Sequence, residues 1–305
     1  MQKIVPSLWF DNNAEEATDF YTNIFQNSKK KEVAYHDAAS AQASGQPEGS
    51  VLTTVFEIEG YKMMTVNGGP IFKPNPAISF TVSINAAEEI DRLWQELSPG
   101  SKVLMPLDTY PFNPKYGWIE DKYGFSWQLI LADEEVVQKI VPSFLFTQDQ
   151  FGQAEAAIKF YTSLFENSQI DVINRYNDGL LDEETAAKYG EAVAHAVFSL
   201  NGENFIAMDG GDEHEFQFNE AVSLIVNCET QEEIDKFWHG LSAQPEAEQC
   251  GWLKDKFGVS WQITPVILGE LLSDPDPAKA SRTMEAMLQM KKLDIAALKK
   301  AHQGS

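Results

Sequence analysis

The stretch Gly117-Trp-Ile-Glu-Asp-Lys-Tyr-Gly-Phe-Ser-Trp-Gln-Leu129 decides the fold, because it returns near the C-terminus as Gly251-Trp-Leu-Lys-Asp-Lys-Phe-Gly-Val-Ser-Trp-Gln-Ile263. A repeat of this length indicates that the chain contains two copies of one structural unit. Both copies end in Ser-Trp-Gln, so Gln128 and Gln262 occupy equivalent positions. Residues of the two copies can therefore be compared one by one.

Further matches extend the repeat over most of the chain. The N-terminal Gln-Lys-Ile-Val-Pro-Ser of residues 2–7 returns at 138–143, and Phe-Tyr-Thr of 20–22 returns at 160–162. The first copy also carries an insertion within Leu104–Lys115, which is rich in Pro and Tyr. Insertions of this kind lie in loops, where functional residues are often found.

Composition restricts the classes of function. The chain has 305 residues, enough for two domains, and a net charge of −23. Such an acidic chain is not expected to bind nucleic acid, which requires Lys and Arg to neutralise phosphates. Two cysteines, Cys228 and Cys250, cannot form a disulfide framework, which favours a reducing cytoplasm. No apolar run is long enough to span a membrane, so no membrane partner is expected.

The hydrophobic pattern predicts an α+β fold. Short apolar runs read as strands and 3.6-residue periods read as helices, which gives two βαβββ units in each copy. We predict a first domain at 1–137, a second at 138–268 and a C-terminal appendage at 269–305. The appendage has helical segments at Ala278–Met290 and Asp294–Ala301, with no counterpart in the first copy.

Several motifs resemble those of a known superfamily. Ala-Glu-Glu-Ala with Phe-Tyr at 14–21, Asn-Gly-Gly-Pro at 67–70 and the repeated Gly-Trp to Trp-Gln stretch resemble the vicinal oxygen chelate superfamily, and within it the PhnB-like branch. The resemblance implies that each domain forms a curved, mostly antiparallel sheet with helices outside and a pocket inside. The two domains would then form an internal pseudo-dimer.

In glyoxalase-like members of that superfamily, the pocket binds a divalent metal ion through His, Gln or Glu. Aligned with that pattern, the first-strand ligand position falls at Pro6 or Ser7, and the last-strand carboxylate is replaced by Gln128 and Gln262. Hydroxyl and amide groups make a poor site for such an ion, and an amide cannot act as a general base. We therefore predict no metal and no cofactor.

The same alignment nominates residues that line the pockets. Strand alternation places Ser126, Gln128 and Ile130 on one face of the last strand, and the resemblance implies that this face lines the pocket. The old methyltransferase label of the branch is not supported, because the paired glycines at 68–69 are too few for a nucleotide loop. No catalytic residue is assigned. The predicted ligand-binding residues are Ser7, Trp9, Asn67, Gln128, Ser143, His195, Asp209 and Gln262.

These observations favour a cytoplasmic, metal-independent protein that binds a small molecule. One alternative is a metal-dependent lyase, isomerase or dioxygenase of the glyoxalase type. A third is an interaction scaffold whose pockets are filled by its own side chains. The sequence does not identify the ligand, any reaction that the protein catalyses, or which of the two pockets is functional. It also leaves the oligomeric state open, and a homo-oligomer is compatible with the sequence.

Overall fold

The computed structural model describes residues 2–134, 136–179, 183–211 and 214–304. They form three βαβββ units and a fourth unit with one strand fewer, and the first and third units also carry a short helix between their second and third strands. The first unit comprises β1 (Ile4–Phe10), α1 (Ala14–Ile24), β2 (Lys29–Tyr35), α2 (Ala38–Ser44), β3 (Val51–Ile58) and β4 (Tyr61–Asn67). The second comprises β5 (Ile78–Ile84), α3 (Ala87–Leu97), β6 (Lys102–Tyr110), β7 (Asn113–Glu120) and β8 (Ser126–Leu131).

The second copy repeats this order and is followed by the appendage. The third unit comprises β9 (Ile140–Phe146), α4 (Ala154–Leu164), β10 (Gln169–Arg175), α5 (Glu183–Tyr189), β11 (Val193–Leu200) and β12 (Glu203–Asp209). The fourth comprises β13 (Val222–Cys228), α6 (Gln231–Leu241), β14 (Trp252–Lys254) and β15 (Ser260–Pro265). The appendage consists of α7 (Leu268–Leu272), α8 (Pro277–Leu288) and α9 (Ile295–Gln303). The predicted α+β class with a duplicated set of units is confirmed.

The strands form two sheets. Sheet 1 has the order β14-β15-β13-β1-β4-β3-β2, and sheet 2 has the order β10-β11-β12-β9-β5-β8-β7-β6. Sheet 1 therefore joins the first unit to the fourth, and sheet 2 joins the second unit to the third. In each sheet the join is an antiparallel pair of first strands, β1 with β13 and β5 with β9.

This pairing corrects the expectation that each copy forms a sheet of its own. The segment 68–77 carries the chain from sheet 1 to sheet 2, and 210–221 carries it back. The short segment 132–139, in contrast, keeps β9 in the same sheet as β8. The two copies thus exchange strands, which makes the pseudo-dimer continuous through both sheets. The domain bounds at 137 and 268 remain a prediction.

The two copies share one main apolar core. In the first copy, Tyr21 of α1 and Phe25, just after α1, contact Trp127 of β8, so a helix lying on sheet 1 also packs against sheet 2. In the second copy, Tyr161 of α4 and Phe165, just after α4, contact Trp261 in the same way. The helices α1, α3, α4 and α6 therefore cover one face of each sheet. The opposite face of each sheet, which these helices do not cover, is here called the open face.

Candidate functional site

Strand alternation separates the core face of sheet 1 from its open face. On β1, Ile4, Leu8 and Phe10 belong to the apolar core. Because successive side chains of a strand point to opposite faces, Ser7 and Trp9 lie on the open face. Ser7 is paired in register with Ser223 of β13, which is paired with Ser260 of β15. We call these three residues the serine row of sheet 1.

Sheet 2 repeats the arrangement with residues of the other two units. Ser143 of β9 is paired with Ser79 of β5, which is paired with Ser126 of β8. These three residues are the serine row of sheet 2. On the same open face, Gln128 lies beside the row on β8, as Gln262 lies beside the row of sheet 1 on β15.

The structure regroups the candidate residues that the sequence had assigned to contiguous domains. It brings Ser7 and Trp9 of the first copy together with Gln262 of the second, on the open face of sheet 1. Gln128 of the first copy shares sheet 2 with Ser143 and His195 of the second. His195 lies on β11, with three strands between it and the strand of Gln128, so these two side chains do not form one site.

Two of the predicted ligand-binding residues, Asn67 and Asp209, bond to backbone N–H groups on the core face. Asn67 is buried on the core face, where its Oδ1 accepts from the backbone N–H of Ala14 at the start of α1, at 3.0 Å. Asp209 accepts from the backbone N–H groups of Ala154 and Val193, at 3.1 and 2.8 Å. Both residues satisfy donors at a helix N-terminus, a structural role. Their side chains do not reach the open face.

The polar groups of sheet 2 are satisfied by their own neighbours. The Tyr116 hydroxyl donates to Gln128 Oε1 at 2.7 Å, and Gln128 Nε2 donates to Ser79 Oγ at 2.7 Å. The two ends of the serine row also have partners. Thr81 Oγ1 lies 2.7 Å from Ser143 Oγ, and Trp118 Nε1 donates to Ser126 Oγ at 2.6 Å.

The equivalent groups of sheet 1 have lost these partners. Ser7 and Ser260 are both 1% exposed, and within the described part of the chain neither hydroxyl has a hydrogen-bond partner. The only bond of the set that remains runs from Gln262 Nε2 to Ser223 Oγ, at 2.9 Å, among the residues that the structure describes. The replacements explain the loss. Ile225 stands in place of Thr81, and Cys250 stands in place of Tyr116.

Trp252, the equivalent of Trp118, contacts Trp9 instead of the serine row. The two rings meet edge to face with their centroids 5.9 Å apart, over the two strands that separate β1 from β14. Trp9 also contacts Phe72, at 5.0 Å between centroids, and its Nε1 donates to the carbonyl of Gly69 at 2.7 Å. A Cβ on Gly68 would lie 2.0 Å from the Trp9 ring, so only glycine fits there. The open face of sheet 1 therefore has an aromatic wall beside buried hydroxyls.

Asp121 and Asp255 were missed by the sequence analysis, although both lie in the repeated stretch. Asp121 Oδ2 accepts from the Tyr21 hydroxyl at 2.7 Å and from Trp127 Nε1 at 2.8 Å. Asp255 makes the same two bonds with Tyr161 and Trp261. Burial raises the pKa of both carboxyl groups, and the hydrogen bonds oppose that shift. The signal was the recurrence of an Asp six residues before a Trp in both copies.

The histidines of the two copies are placed to be neutral. Burial lowers the pKa of His195, and it also lowers the pKa of His36, whose Nε2 lies 3.2 Å from the carbonyl oxygen of Asn67. A neutral imidazole can accept or donate one hydrogen bond at each nitrogen. Neither imidazole ring lies on a strand adjacent to the strand of Gln128 or Gln262.

A divalent metal ion does not fit the donor set of the serine row of sheet 1. The polar groups there are hydroxyls and one amide, and Lys254, which forms an ion pair with Glu220, is paired with Ser260 in the strand register. Metal sites use imidazole, thiolate and carboxylate ligands, and a neighbouring cation opposes the ion's charge. Across the described ranges, no group of three or more His, Cys, Asp or Glu is placed to hold a metal. We therefore propose no reaction step that uses a metal ion.

The appendage reaches both edges of sheet 1. Helix α8 contacts α2, which lies between the edge strand β2 and β3. Beyond α8, the carbonyls of Met290 and Lys291 accept from the backbone N–H groups of Cys250 and Gly251, at 2.8 and 2.7 Å, next to the opposite edge strand β14. The appendage is therefore attached to sheet 1 and not to the equivalent edges of sheet 2. None of the helices built by the described residues has the length and apolar character needed to cross a membrane.

Comparison with known proteins is consistent with the duplicated architecture. The family profile described as 3-demethylubiquinone-9 3-methyltransferase matches residues 2–130 and again residues 138–264. No curated protein matches the chain.

Several solved structures are similar to the chain, including the following three. The PhnB protein from Bacillus cereus is 38% identical over 43% of this chain and 100% of its own, with a TM-score of 0.40. A mutant of glyoxalase I from Zea mays is 10% identical, covers 84% of this chain and 89% of its own, and gives a TM-score of 0.53. A second mutant of that enzyme is 10% identical over 86% and 94%, with a TM-score of 0.51. The maize structures show a shared fold.

Proposed function

The chain belongs to the 3-demethylubiquinone-9 3-methyltransferase family, of which PhnB is a member, and we propose that it binds a small molecule on the open face of sheet 1 without a metal ion. The observation that carries the proposal is the pair of buried hydroxyls, Ser7 and Ser260, which lack partners among the described residues. A buried hydroxyl without a partner costs about 1–3 kcal/mol. A ligand that bonds to both would remove that cost.

Comparison of the two sheets supports the choice of sheet 1. Sheet 2 has the same serine row and the same glutamine, but Thr81, Tyr116 and Trp118 already bond to them. A ligand would have to displace those bonds to bind there. The open face of sheet 2 is therefore proposed to be structural, and His195 is not carried forward as part of the binding site.

Methyl transfer, which the family description names, is not supported by the geometry of the glycine pair. A nucleotide-type methyl donor is usually bound where a strand passes through a glycine-rich loop into a helix. Here β4 is followed by Gly68 and Gly69 and then by the strand β5, with no helix between them. Gly68 instead makes room for the Trp9 ring. We assign no reaction to the chain.

The alternative of a glyoxalase-type metal enzyme makes a different prediction. Elemental analysis of protein purified without chelator should show no stoichiometric divalent ion if the proposal is right. One tightly held ion per chain, whose removal releases the ligand, would favour the alternative.

The binding proposal is tested by native mass spectrometry of untreated protein. We expect a retained mass in the wild-type protein and its loss in a Ser7→Ala, Ser260→Ala variant. The matched control is Ser143→Ala, Ser126→Ala in sheet 2, which should keep the ligand although it loses three hydrogen bonds. Equal retention by both variants would contradict the assignment to sheet 1.

A further inference from the structure

Sheet 2 shows which chemical groups satisfy a serine row and its glutamine. The phenol hydroxyl of Tyr116 donates to Gln128 Oε1, and the indole N–H of Trp118 donates to Ser126 Oγ. The third group is the hydroxyl of Thr81, beside Ser143. Two of these three groups are hydrogen-bond donors attached to an aromatic ring. Side chains of sheet 2 therefore supply hydrogen-bond partners to the serines and the glutamine that both sheets have in common.

Sheet 1 keeps the polar pattern but lacks those three groups. Cys250 replaces the phenol of Tyr116, and the ring of Trp252 has moved to Trp9. Gln262, which is 8% exposed, keeps its bond to Ser223 through Nε2, so its Oε1 faces no tyrosine hydroxyl. We infer that the ligand of sheet 1 is an uncharged, hydroxylated aromatic molecule of the phenol class. Its O–H donates to Gln262 Oε1 and its ring contacts Trp9 and Trp252. This inference rests on the proposed function.

The charges on the open face of sheet 1 agree with an uncharged ligand. Lys254, next to Ser260, forms an ion pair with Glu220 at 2.8 Å between Nζ and Oε1. Farther along the face, Lys62 lies opposite Glu57 in the strand register. An anionic ligand such as a carboxylate or phosphate would have to compete with the Glu220 carboxylate for Lys254. An isolated charge placed over the buried hydroxyls would also pay a large desolvation cost.

The aromatic wall formed by Trp9, Phe72 and Trp252 indicates that the ligand contains an aromatic ring. Edge-to-face and offset contacts between rings are favoured over random orientations because the ring faces are negative and the edges positive. Trp9 and Trp252 already contact each other edge to face, so a flat ring that makes such contacts would lie against this pair and not between its members. A saturated ring of the same size would lose that part of the interaction.

The test uses three one-ring probes in ligand-observed NMR titrations of the full chain at pH 7: phenol, anisole and benzoate. Phenol carries the O–H donor, anisole is the same ring without it, and benzoate carries a negative charge. We expect phenol to bind about fivefold to tenfold more tightly than anisole, as one net hydrogen bond allows. Benzoate should bind more weakly than either.

Two matched variants locate the site. Gln262→Leu should bring phenol down to the affinity of anisole, whereas Gln128→Leu in sheet 2 should leave the preference for phenol unchanged. The comparison of the three probes on the wild-type protein does not depend on how well either variant folds. Equal binding of phenol and anisole, or tighter binding of benzoate, would overturn the ligand class. Failure of all three probes would overturn it as well.

The outcome also separates this inference from the proposed function. If native mass spectrometry shows a retained ligand that depends on Ser7 and Ser260 while phenol has no advantage, the site stands and the ligand class falls. If no ligand depends on these two serines, the proposed function itself fails.

Discussion

Ser7 and Ser143 occupy equivalent positions, yet one hydroxyl is buried without a partner in the described structure and the other lies 2.7 Å from Thr81 Oγ1. Part of the difference comes from one neighbouring residue, because Ile225 in sheet 1 stands where Thr81 stands in sheet 2. Ser143 Oγ also donates to the carbonyl of Val141 at 3.2 Å. Proteins rarely bury a polar group without a partner, and those that remain often mark functional sites. The choice between the two open faces as the binding site therefore depends on these individual side chains.

Exchanging these two neighbours should exchange the two environments. Thr81→Ile removes one partner of Ser143, which keeps its 3.2 Å bond to the carbonyl of Val141, so we expect a loss of about 0.5–1.5 kcal/mol in the free energy of unfolding. Ile225→Thr offers Ser7 a partner, so its effect on stability should be smaller and it should weaken ligand retention. Urea denaturation of both variants measures the first effect. An Ile225→Thr variant that retains ligand as well as the wild type would argue against a bond from Ser7 to the ligand.

Glu203 makes stability depend on pH. Its Oε1 accepts from the backbone N–H groups of Lys3 and Ile4 at 2.6 and 3.1 Å, which links β12 of sheet 2 to β1 of sheet 1. Its Oε2 and the hydroxyl of Tyr61 are buried and have no partner in the described ranges. Burial raises the pKa of Glu203 to about 7.

Because this pKa is raised in the folded state, the contribution of Glu203 to stability is complete below pH of about 4.5 and is lost as the pH rises toward 7. The loss is on the order of 3 kcal/mol, since each unit of pKa shift corresponds to about 1.4 kcal/mol. Glu203→Gln keeps an acceptor and carries no charge. Its unfolding free energy should therefore fall less than that of the wild type between pH 4.5 and 8, and identical pH profiles would contradict this role.

At the scale of elements, the appendage is a separate apolar unit attached to sheet 1. Leu293 is fully buried in a cluster with Leu268, Leu271 and Leu298, distinct from the main core. Cys250 and Gly251 anchor the segment after α8 through backbone hydrogen bonds. This placement explains why a helical tail follows the second copy: it covers the β14 edge, for which the first copy uses β6 and a longer β7.

Leu293→Ala should therefore loosen the appendage before it affects the sheets. We expect a loss of about 2–5 kcal/mol of local stability, which is typical of a buried Leu→Ala change. Hydrogen exchange should become faster over 277–303 and stay slow in β1, β13 and β15. Leu272→Ala, at the partly exposed side of the same cluster, serves as a milder control. Faster exchange throughout sheet 1 would show that the appendage is part of the main cooperative unit.

At the scale of the whole molecule, strand exchange joins the two copies. The first copy alone would leave β1 and β5 as open edges, because their partners β13 and β9 belong to the second copy. Unpaired strand edges favour association with another chain. Since the two copies are equivalent, β1 of one isolated copy can pair with β5 of another.

A fragment of residues 1–137 should therefore form a homodimer. Light scattering during size-exclusion chromatography measures its mass, and mixing with 138–305 should give a one-to-one complex. A folded, stable monomer of 1–137 would contradict the role of the two strand pairs. The oligomeric state of the full chain and its location in the cell remain predictions.

The sequence predicted the repeat, the four units and the alternation that places Ser7, Trp9, Gln128 and Gln262 on open faces. It could not predict which units share a sheet, because that depends on long-range pairing of strands with similar sequences. For the same reason it grouped Gln262 with Ser143 when Gln262 lies with Ser7. Asp209 was considered a ligand because its carboxylate was visible in the sequence, whereas the helix N–H groups that it satisfies were not.

The most direct test of the account is an experimental structure of protein purified without denaturation or chelator, inspected on the open faces of both sheets. We expect a non-protein molecule within hydrogen-bond distance of Ser7 Oγ, Ser260 Oγ and Gln262 Oε1, with Trp9 and Trp252 against its ring. We also expect an unchanged set of bonds among Tyr116, Gln128 and Ser79 in sheet 2. A ligand bound on sheet 2 while sheet 1 is empty, or a metal ion at the serine row of sheet 1, would contradict the account.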